Sequence, residues 1–333
     1  MFKAFFSKRR MRRDFLLGAS AMTLAALAPG ISLGADAYPS HPITLILAYP
    51  PGGGVDMVGR LLARELERNL GQNVIVENRP GAGSMIGTST LTRSKPDGYT
   101  IMLADPALVI NASLMKHVSY NVDKDVVPIS TVTVSPLVLA VPTTSKIKSV
   151  ADLVEAGKGK GGGLSFASAG LGSTPHMAGE LLKLRSNSNF VHVPYKGSGP
   201  AMTDLISGQV DFAFATQSAA AQYIAGGRLR GLATTGAEPS PLLPDLPTMA
   251  TSLPGFRVLF WTALIAPAAT PPDIQKRLND AVKAALESPT MKSGLEKAGE
   301  VSSYMSLADV KTFFTSEKNM WEKVVRESKL ELE

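Results

Sequence analysis

Apolar runs of strand length alternate with amphipathic segments along the first part of the chain. Residues 43–48 form one apolar run, and residues 58–70 then carry valine and leucine at the spacing of one helix face. Two further strands are predicted at 74–76 and 99–103, with a helix between them that ends near Arg93. The short connections favour parallel strands with helical crossovers, and therefore an α/β fold.

The same alternation returns in the second half of the chain. Strands are predicted at 164–167, 190–193 and 210–214, and helices open at Thr174 and Pro200. The tail returns as helices, the last of which begins at Ser306 with a capping-box-like start. Two sheets built alike predict two lobes that face each other.

Two apolar runs, 137–141 and 259–265, lie where the chain would cross between these lobes. Their spacing predicts a discontinuous first lobe of residues 38–141 plus 259–333. The second lobe, residues 142–258, would then be inserted between the two crossings.

Residues 1–37 are typical of an export signal. A basic segment precedes the apolar run 15–28, and small residues around Ala37 provide a cleavage site. The run has fourteen residues, too few to cross a bilayer as a helix. Arg12 and Arg13 also fit a twin-arginine pattern, and an ordinary secretory signal with paired arginines is the alternative. Either route predicts export to the periplasm.

Charge and cysteine content narrow the function classes. The whole chain carries a net charge of +6, but the predicted signal holds six basic and two acidic residues, which leaves +2 for the remainder. This small excess gives no reason to expect nucleic acid or an anionic membrane as a partner. The chain has no cysteine, which excludes disulfides, a thiol nucleophile and a lipoprotein anchor.

Three glycine-rich segments share one position in the predicted fold, because each follows a strand and opens a helix. They are residues 50–56, 80–87 and 168–176. A helix N-terminus holds an anion through unpaired backbone N–H groups, and glycine lets the backbone approach it closely. One such segment alone is usually just a turn. Three of them, at strand ends in two lobes, predict an anion site in the cleft.

Catalytic and cofactor motifs are missing from the sequence. The segment 81–87 has Ile86 where a dinucleotide fingerprint requires its third glycine, and neither a P-loop nor a G-x-S-x-G elbow occurs. The four histidines lack metal-ligand spacing. We therefore expect no enzyme activity, no cofactor and no metal.

Four further residues could contribute either to the ligand site or to local structure. His176 would either donate a hydrogen bond to a ligand or cap and pack its helix, and Asp211 would either contact the ligand or orient a lobe, or be an ordinary strand-end carboxylate. His192 is expected in the core with a satisfied nitrogen, and Trp261 is expected to pack.

Ten segments of the chain match a known family. In them the sequence resembles the extracytoplasmic solute receptors of tripartite tricarboxylate transporters, the Bug-type receptors. The segments are 38–43, 49–56, 76–87, 96–100, 166–180, 192–197, 204–211, 227–233, 243–248 and 261–267.

The resemblance implies a type II periplasmic-binding-protein fold, in which two α/β lobes are joined by two crossover strands with the ligand cleft between them. It also implies a monomer that captures a small organic acid, either a dicarboxylate, a tricarboxylate or an aromatic acid. A membrane permease of two subunits would receive the acid. A receptor that presents its ligand to a sensor kinase is one alternative, and an exported α/β hydrolase is a weaker one.

Site residues follow from the same resemblance. One carboxylate would be held by backbone amides and bridging waters between the first two glycine-rich loops. Those loops contribute Tyr49, Pro51, Gly52, Gly53, Gly54, Asp56, Gly81, Ala82, Gly83 and Ser84. The second lobe would contribute Ser168, Gly170, Gly172, Ser173, Thr174, His176, Tyr195 and Lys196. The far end of the acid would meet Asp105, Thr216 and Gln217.

Two positions depart from the family pattern. Ser84 stands where many members have glycine, and Asp105 stands where the family often has serine or threonine. An ionised Asp105 would repel a second carboxylate unless it were protonated or paired. It could instead accept a hydrogen bond from a ligand hydroxyl or ammonium, or cap the following turn.

Overall fold

The fold is taken from a computed structural model that describes residues 38–159 and 163–330. The export signal predicted at 1–37 lies outside the described residues. Within the part that is described, no helix is both long and apolar enough to cross a membrane.

The first strands and helices follow the predicted alternation. They are β1 (Ile43–Leu47), α1 (Gly54–Leu70), β2 (Val74–Asn78), α2 (Met85–Thr92), β3 (Thr100–Ala104), α3 (Ala107–Leu114) and α4 (Val122–Asp125). Helix α1 buries Val58, Leu62 and Leu66 along one face. It ends at Gly71, which adopts the left-handed conformation that glycine tolerates best. The predicted strands and helices are therefore confirmed, with small shifts at their ends.

The middle of the chain repeats this order after one long strand. The elements are β4 (Val126–Pro142), α5 (Val150–Gly157), β5 (Ser165–Ser168), α6 (Thr174–Ser186), β6 (Val191–Pro194), α7 (Ser198–Ser207), β7 (Phe212–Thr216), α8 (Gln217–Ala225), β8 (Leu229–Thr234) and α9 (Met249–Ser252). The tail contains β9 (Leu259–Pro267), α10 (Pro272–Glu287), α11 (Pro289–Lys297) and α12 (Leu307–Ser328). Ser306 caps α12 by accepting from the Asp309 N–H, as predicted.

The strands form one sheet in the order β2-β1-β3-β9-β4-β7-β5-β6, and β8 also pairs with β4. At each end of the sheet three strands are parallel, namely β2, β1 and β3 at one end and β7, β5 and β6 at the other. In the centre β4 and β9 are antiparallel. Two parallel α/β units therefore flank a pair of strands that crosses between them.

Strand β4 belongs to both halves of the sheet. Its first part pairs with β9 from Val126↔Pro267 to Pro136↔Leu259. Its last residues, from Leu137 on, pair with β7 and β8 instead. The lobe boundaries at 142 and 258 stay a prediction.

The largest buried cluster extends across both halves. It includes Leu108 of α3, Met177 of α6, Trp261 of β9, and Phe314 and Trp321 of α12. Helix α12 contacts both α3 and α6, and so links the helices of the two halves.

Candidate ligand-binding site

The loops that follow β1, β2 and β3 lie at one edge of the sheet. Strands β1 and β2 run parallel, with Leu47 opposite Asn78, and β1 and β3 run parallel, with Leu47 opposite Leu103. Since parallel strands end at the same edge, the N-termini of α1, α2 and α3 lie side by side there. This edge holds the first two predicted glycine-rich segments and Asp105.

Asp56 fixes the loop in front of α1. Its carboxylate accepts hydrogen bonds from the Gly52 N–H (3.0 Å), Arg60 Nε (2.9 Å) and Asn78 Nδ2 (2.9 Å). The Asn78 amide also donates to the Tyr49 carbonyl at 2.9 Å. Burial alone would raise the pKa of Asp56, but these donors and the Arg60 charge lower it to about 2. Asp56 is therefore ionised and braces the loop.

The loop itself leaves open space. Pro51, Gly52, Gly53 and Gly54 are exposed, and a Cβ added at any of these glycines would meet nothing within 4 Å. Gly53 precedes α1, whose N-terminus is capped by no side chain among the described residues. The first N–H groups of α1 therefore remain available to an anion.

The loop in front of α2 has a strained backbone. Four successive residues have positive φ: Gly81 at 129°, Ala82 at 47°, Gly83 at 60° and Ser84 at 78°. This conformation is unfavourable for Ala82 and Ser84, because a residue with a Cβ is strained at left-handed φ. Strain of this kind persists only where the surroundings hold it, and it concentrates at ligand sites.

The Ser84 side chain is buried and has no partner. Its residue is 2% exposed, and its Oγ makes no hydrogen bond to any described residue. The N-terminus of α2 also lacks a side-chain cap within the described part of the chain. A buried hydroxyl without a partner is unfavourable by about 1–3 kcal/mol, so this group is suited to meet a ligand or water.

At the N-terminus of α3, in contrast, the carboxylate of Asp105 already occupies the position that an anion would take. Asp105 accepts from the Ala107 N–H (3.1 Å) and from the Tyr49 hydroxyl (2.5 Å). Burial raises the pKa of Asp105 to about 6, although these two donors oppose the rise. Burial and the neighbouring carboxyl raise the pKa of Tyr49 well above its usual value. Of the roles considered for Asp105, capping the following turn and pairing are the ones its contacts display.

The loop at Ser168–Ser173 belongs to the other half of the sheet and is held by its own side chains. The Ser168 hydroxyl accepts from the Gly170 N–H (3.1 Å) and lies 2.6 Å from His192 Nε2. Ser173 donates to the Gly170 carbonyl (2.7 Å) and accepts from the His176 N–H to cap α6. The expected satisfied nitrogen of His192 is therefore confirmed, but the ring is half-buried and does not lie in the core as expected.

His176 braces the same loop from inside. Its Nδ1 accepts from the Gly172 N–H at 3.2 Å, and its ring stacks on His192 at 4.0 Å. Burial lowers the pKa of His176 to about 3 and that of His192 to about 4, so both rings are neutral at pH 7. Of its two interpretations, His176 displays the packing role. Thr174, the first residue of α6, is buried beside it.

The remaining predicted residues of this half mostly serve local structure. Tyr195 donates to Asp204 at 2.7 Å, and burial together with that carboxylate raises the pKa of Tyr195 to about 12. Lys196 is exposed. Thr216 caps α8 by accepting from the Ala219 N–H. Buried Gln217 accepts from the Ser240 hydroxyl through Oε1, while its Nε2 has no partner among the described residues.

Asp211 and Trp261, which were considered in the sequence but are not among the predicted ligand residues, both make structural contacts. Asp211 accepts from the N–H and hydroxyl of Ser165 at 2.7 and 2.8 Å, which ties β5 to the start of β7. Trp261 is fully buried, as expected, and its Nε1 donates to Glu317 of α12 at 3.0 Å.

Asn111 brings the loops of the two halves together, and sequence reasoning missed it. It is buried in α3, and its Nδ2 donates to the Gly83 carbonyl at 2.5 Å. Its Oδ1 lies against Gly172, where an added methyl group would overlap it. The available signal was an asparagine in the middle of the apolar helix Ala-Leu-Val-Ile-Asn-Ala-Ser-Leu.

Two parallel α/β units that share crossing strands, with their loops in contact at Asn111, are typical of a two-lobed solute-binding protein. The profile of the tripartite tricarboxylate transporter family receptors matches residues 58–330, and the chain belongs to that family. This family consists of receptors, not of enzymes. The predicted family and fold class are therefore confirmed.

Solved structures agree with this assignment. The periplasmic binding protein BugD is 30% identical, with a TM-score of 0.78 over 88% of this chain and 99% of its own. Rpa4515 of R. palustris, solved with adipate, is 31% identical with a TM-score of 0.79 over 88% and 99%. MatC of Rhodopseudomonas palustris, solved with bound malate, is 29% identical with a TM-score of 0.77 over 86% and 100%.

Proposed function

We propose that this protein is exported to the periplasm, captures a small organic carboxylate between its lobes and delivers it unchanged to a membrane permease. One observation carries the proposal: on neighbouring parallel strands, the N-termini of α1 and α2 lack side-chain caps from the described residues, whereas α3 is filled by Asp105. Two uncapped helix ends at one edge suit a carboxylate, because both present N–H groups and partial positive charge.

The acid bound by two relatives supports the same class of ligand. Adipate and malate, seen in Rpa4515 and MatC, are both dicarboxylates. Membership of a transporter family supports a permease as the partner, and the signal predicted at residues 1–37 supports export. We infer a monomeric receptor without catalytic activity.

Isothermal titration calorimetry on residues 38–333 tests the ligand class. The panel contains malate, succinate, adipate, citrate and benzoate. We expect at least one carboxylate to bind, and its neutral amide analogue to fail, because the helix ends select the negative charge. If no acid of the panel binds while an uncharged solute does, the proposal is wrong.

Gly53→Val tests whether backbone amides hold the acid. Gly53 has an ordinary extended backbone and an added Cβ meets nothing within 4 Å, so the backbone accepts a side chain there, but the branched side chain would fill the space in front of α1. Affinity for the acid identified by the panel should fall at least tenfold, about 1.4 kcal/mol, with little change in the melting temperature without ligand.

Lys196→Met is the comparison for that variant. Lys196 is exposed, and a charge contact in water contributes little. We expect a smaller loss than for Gly53→Val. The reverse order, with Lys196 indispensable and Gly53→Val tolerated, would show that a salt bridge captures the acid.

Delivery without chemistry is tested by recovering the acid. Mass spectrometry after long incubation with the purified protein should return the bound acid at its original mass. A new product that depends on the protein would overturn the inference that the receptor has no catalytic activity.

A further inference from the structure

The side chain of Asn111 lies between two loops that come from opposite halves of the sheet. It is only 2% exposed, and its Nδ2 donates to the Gly83 carbonyl at 2.5 Å. On its other side, Oδ1 faces Gly172, whose φ of +72° turns that loop toward α3. One amide group therefore contacts both the strained loop before α2 and the loop before α6.

The contact with Gly83 holds an unfavourable conformation. Gly83 is the third of four residues with positive φ, and two of the four carry a Cβ. A buried donor to its carbonyl helps to keep the turn from relaxing to ordinary φ values. The turn places Ser84, whose Oγ has no partner among the described residues, at the start of α2. Asn111 therefore acts on the site through the loop.

The contact with Gly172 makes the two loops depend on each other. A methyl group at Gly172 would overlap Asn111 Oδ1, while the next neighbour, Leu114 Cδ2, would lie at an ordinary 3.6 Å. Glycine at 172 thus permits the loop to close on the asparagine. The loop is held on its own side by His176, which accepts from the Gly172 N–H.

We propose that Asn111 is a positioning residue that locks the Gly81–Ser84 loop in its left-handed turn and docks the Gly172 loop of the other lobe against it. In the protein without ligand, the same amide group therefore holds the ligand loop in its conformation and keeps the two lobes in contact; we call this contact the latch. This inference rests on the proposed function only in regarding the Gly81–Ser84 loop as a ligand loop.

A double-mutant cycle in the absence of ligand tests the latch. Gly172→Ala should destabilise the protein more than Gly208→Ala, which has a similar φ of +76° but open space around it. In an Asn111→Ala background the overlap is gone, so Gly172→Ala should lose that excess. We expect non-additivity of at least about fivefold in the unfolding constant from urea titrations. Additive effects would overturn the latch.

Hydrogen exchange tests the positioning role. Asn111→Ala should speed amide exchange at least about tenfold in residues 85–88, where the Met85 N–H donates to the Ala82 carbonyl of the loop, and in residues 170–172, a segment far away in sequence. Asn279→Ala is the matched control, since Asn279 is also a buried asparagine that donates to a backbone carbonyl, that of Ile129 at 2.7 Å. It should not speed exchange selectively in those segments. A uniform rise in both variants, or no rise in either, would contradict the proposal.

Asn111→Asp separates hydrogen bonding from space filling. The aspartate has the same size, but an oxygen replaces the Nδ2 donor and faces the Gly83 carbonyl. Residues 85–88, which follow the first loop, should exchange as fast as in Asn111→Ala. Full protection in Asn111→Asp would show that the side chain only fills space. None of these measurements uses a carboxylate ligand, so their outcome does not depend on the result of the calorimetry.

Discussion

Asp56 and Glu300 are both buried carboxyl groups, yet their surroundings move their pKa values in opposite directions. Burial favours the neutral form of each, but at Asp56 the donors Arg60, Gly52 and Asn78 outweigh it. The Glu300 carboxyl accepts from the Ser218 and Ser135 hydroxyls, at 3.2 and 3.3 Å, and burial outweighs these two donors and raises its pKa to about 7. The two residues therefore give stability opposite dependences on pH.

Asp56→Asn should lower stability at neutral pH. The ionised form favours folding, so its contribution is present above the usual pKa near 4 and is lost as pH falls toward 2. We expect a loss of about 1 kcal/mol at pH 7, because Arg60 is partly in water, and a smaller difference at pH 2.5. Urea titrations at both values measure it. The control is Asp280→Asn, which should change stability little because the Asp280 side chain is 52% exposed and paired with Lys276. A loss in Asp56→Asn that does not depend on pH would contradict the assignment.

Glu300→Gln should stabilise the protein above pH 7. The raised pKa means that the neutral carboxyl favours folding, so wild-type stability is full below about pH 4.5 and falls as pH rises through about 7. Glutamine cannot ionise and should gain about 2 kcal/mol at pH 8, with no gain at pH 4. Thermal unfolding across this range, with exposed Glu296→Gln as control, measures the effect. Equal stability of Glu300→Gln and wild type at pH 8 would refute it.

The glycine-rich loops were accessible from sequence because glycine, strand end and helix start are all local signals. The bracing of these loops was not. Asp56 and Asn78 are 22 residues apart and meet only because β1 pairs with β2. Asn111 contacts Gly83 and Gly172, which no spacing rule connects. Side chains that hold a site through tertiary contacts leave little trace in a single sequence.

At the scale of elements, local periodicity predicted most strands and helices, but it could not predict how the crossing strands pair. The apolar run 137–141 is only the end of β4, whose earlier part contains polar Ser130, Thr131, Thr133 and Ser135. These side chains are buried, and several bond to other segments: Thr133 to Thr262, and Ser130 and Thr131 to carbonyls of the segment before α12. Because these buried polar residues interrupt the apolar pattern, the sequence did not predict about two thirds of β4.

Helix α12 offers the clearest test of a single element. Ser306 accepts from the Asp309 N–H at 3.2 Å and donates to the Asp309 carboxylate at 2.7 Å. Ser306→Ala should cost about 1 kcal/mol, because a helix-end donor loses its partner. Thr315→Ala on the exposed face of the same helix, where the hydroxyl only returns to the Lys311 carbonyl, is the control and should be near neutral. Equal losses in urea titrations would contradict a capping role.

At the scale of the whole molecule, the lobes are connected through a pair of hydrogen-bonded strands. Strands β4 and β9 stay paired from Val126↔Pro267 to Pro136↔Leu259, where β4 continues into the other half. Helix α12 contacts α3 and α6 across the same junction. Movement of the lobes would therefore bend these strands, because β4 itself continues from one half of the sheet into the other.

Small-angle scattering should show this movement. Saturation with the acid identified by calorimetry should reduce the radius of gyration relative to the protein without ligand, because the lobes close on it. Gly53→Val at the same acid concentration is the control, since it should bind at least tenfold less. An unchanged radius of gyration at confirmed saturation would contradict closure.

The pairing of Pro136 with Leu259 also has a consequence for recombination. Paired residues of antiparallel strands have Cα atoms about 4.5–5.5 Å apart, so the chain leaves the first half of the sheet and re-enters it at almost the same point. Residues 137–258 therefore form a cassette with adjacent ends. A crossover at these two codons would exchange that half of the sheet between family members and leave the β1–β3 and β4–β9 pairing within one parent sequence.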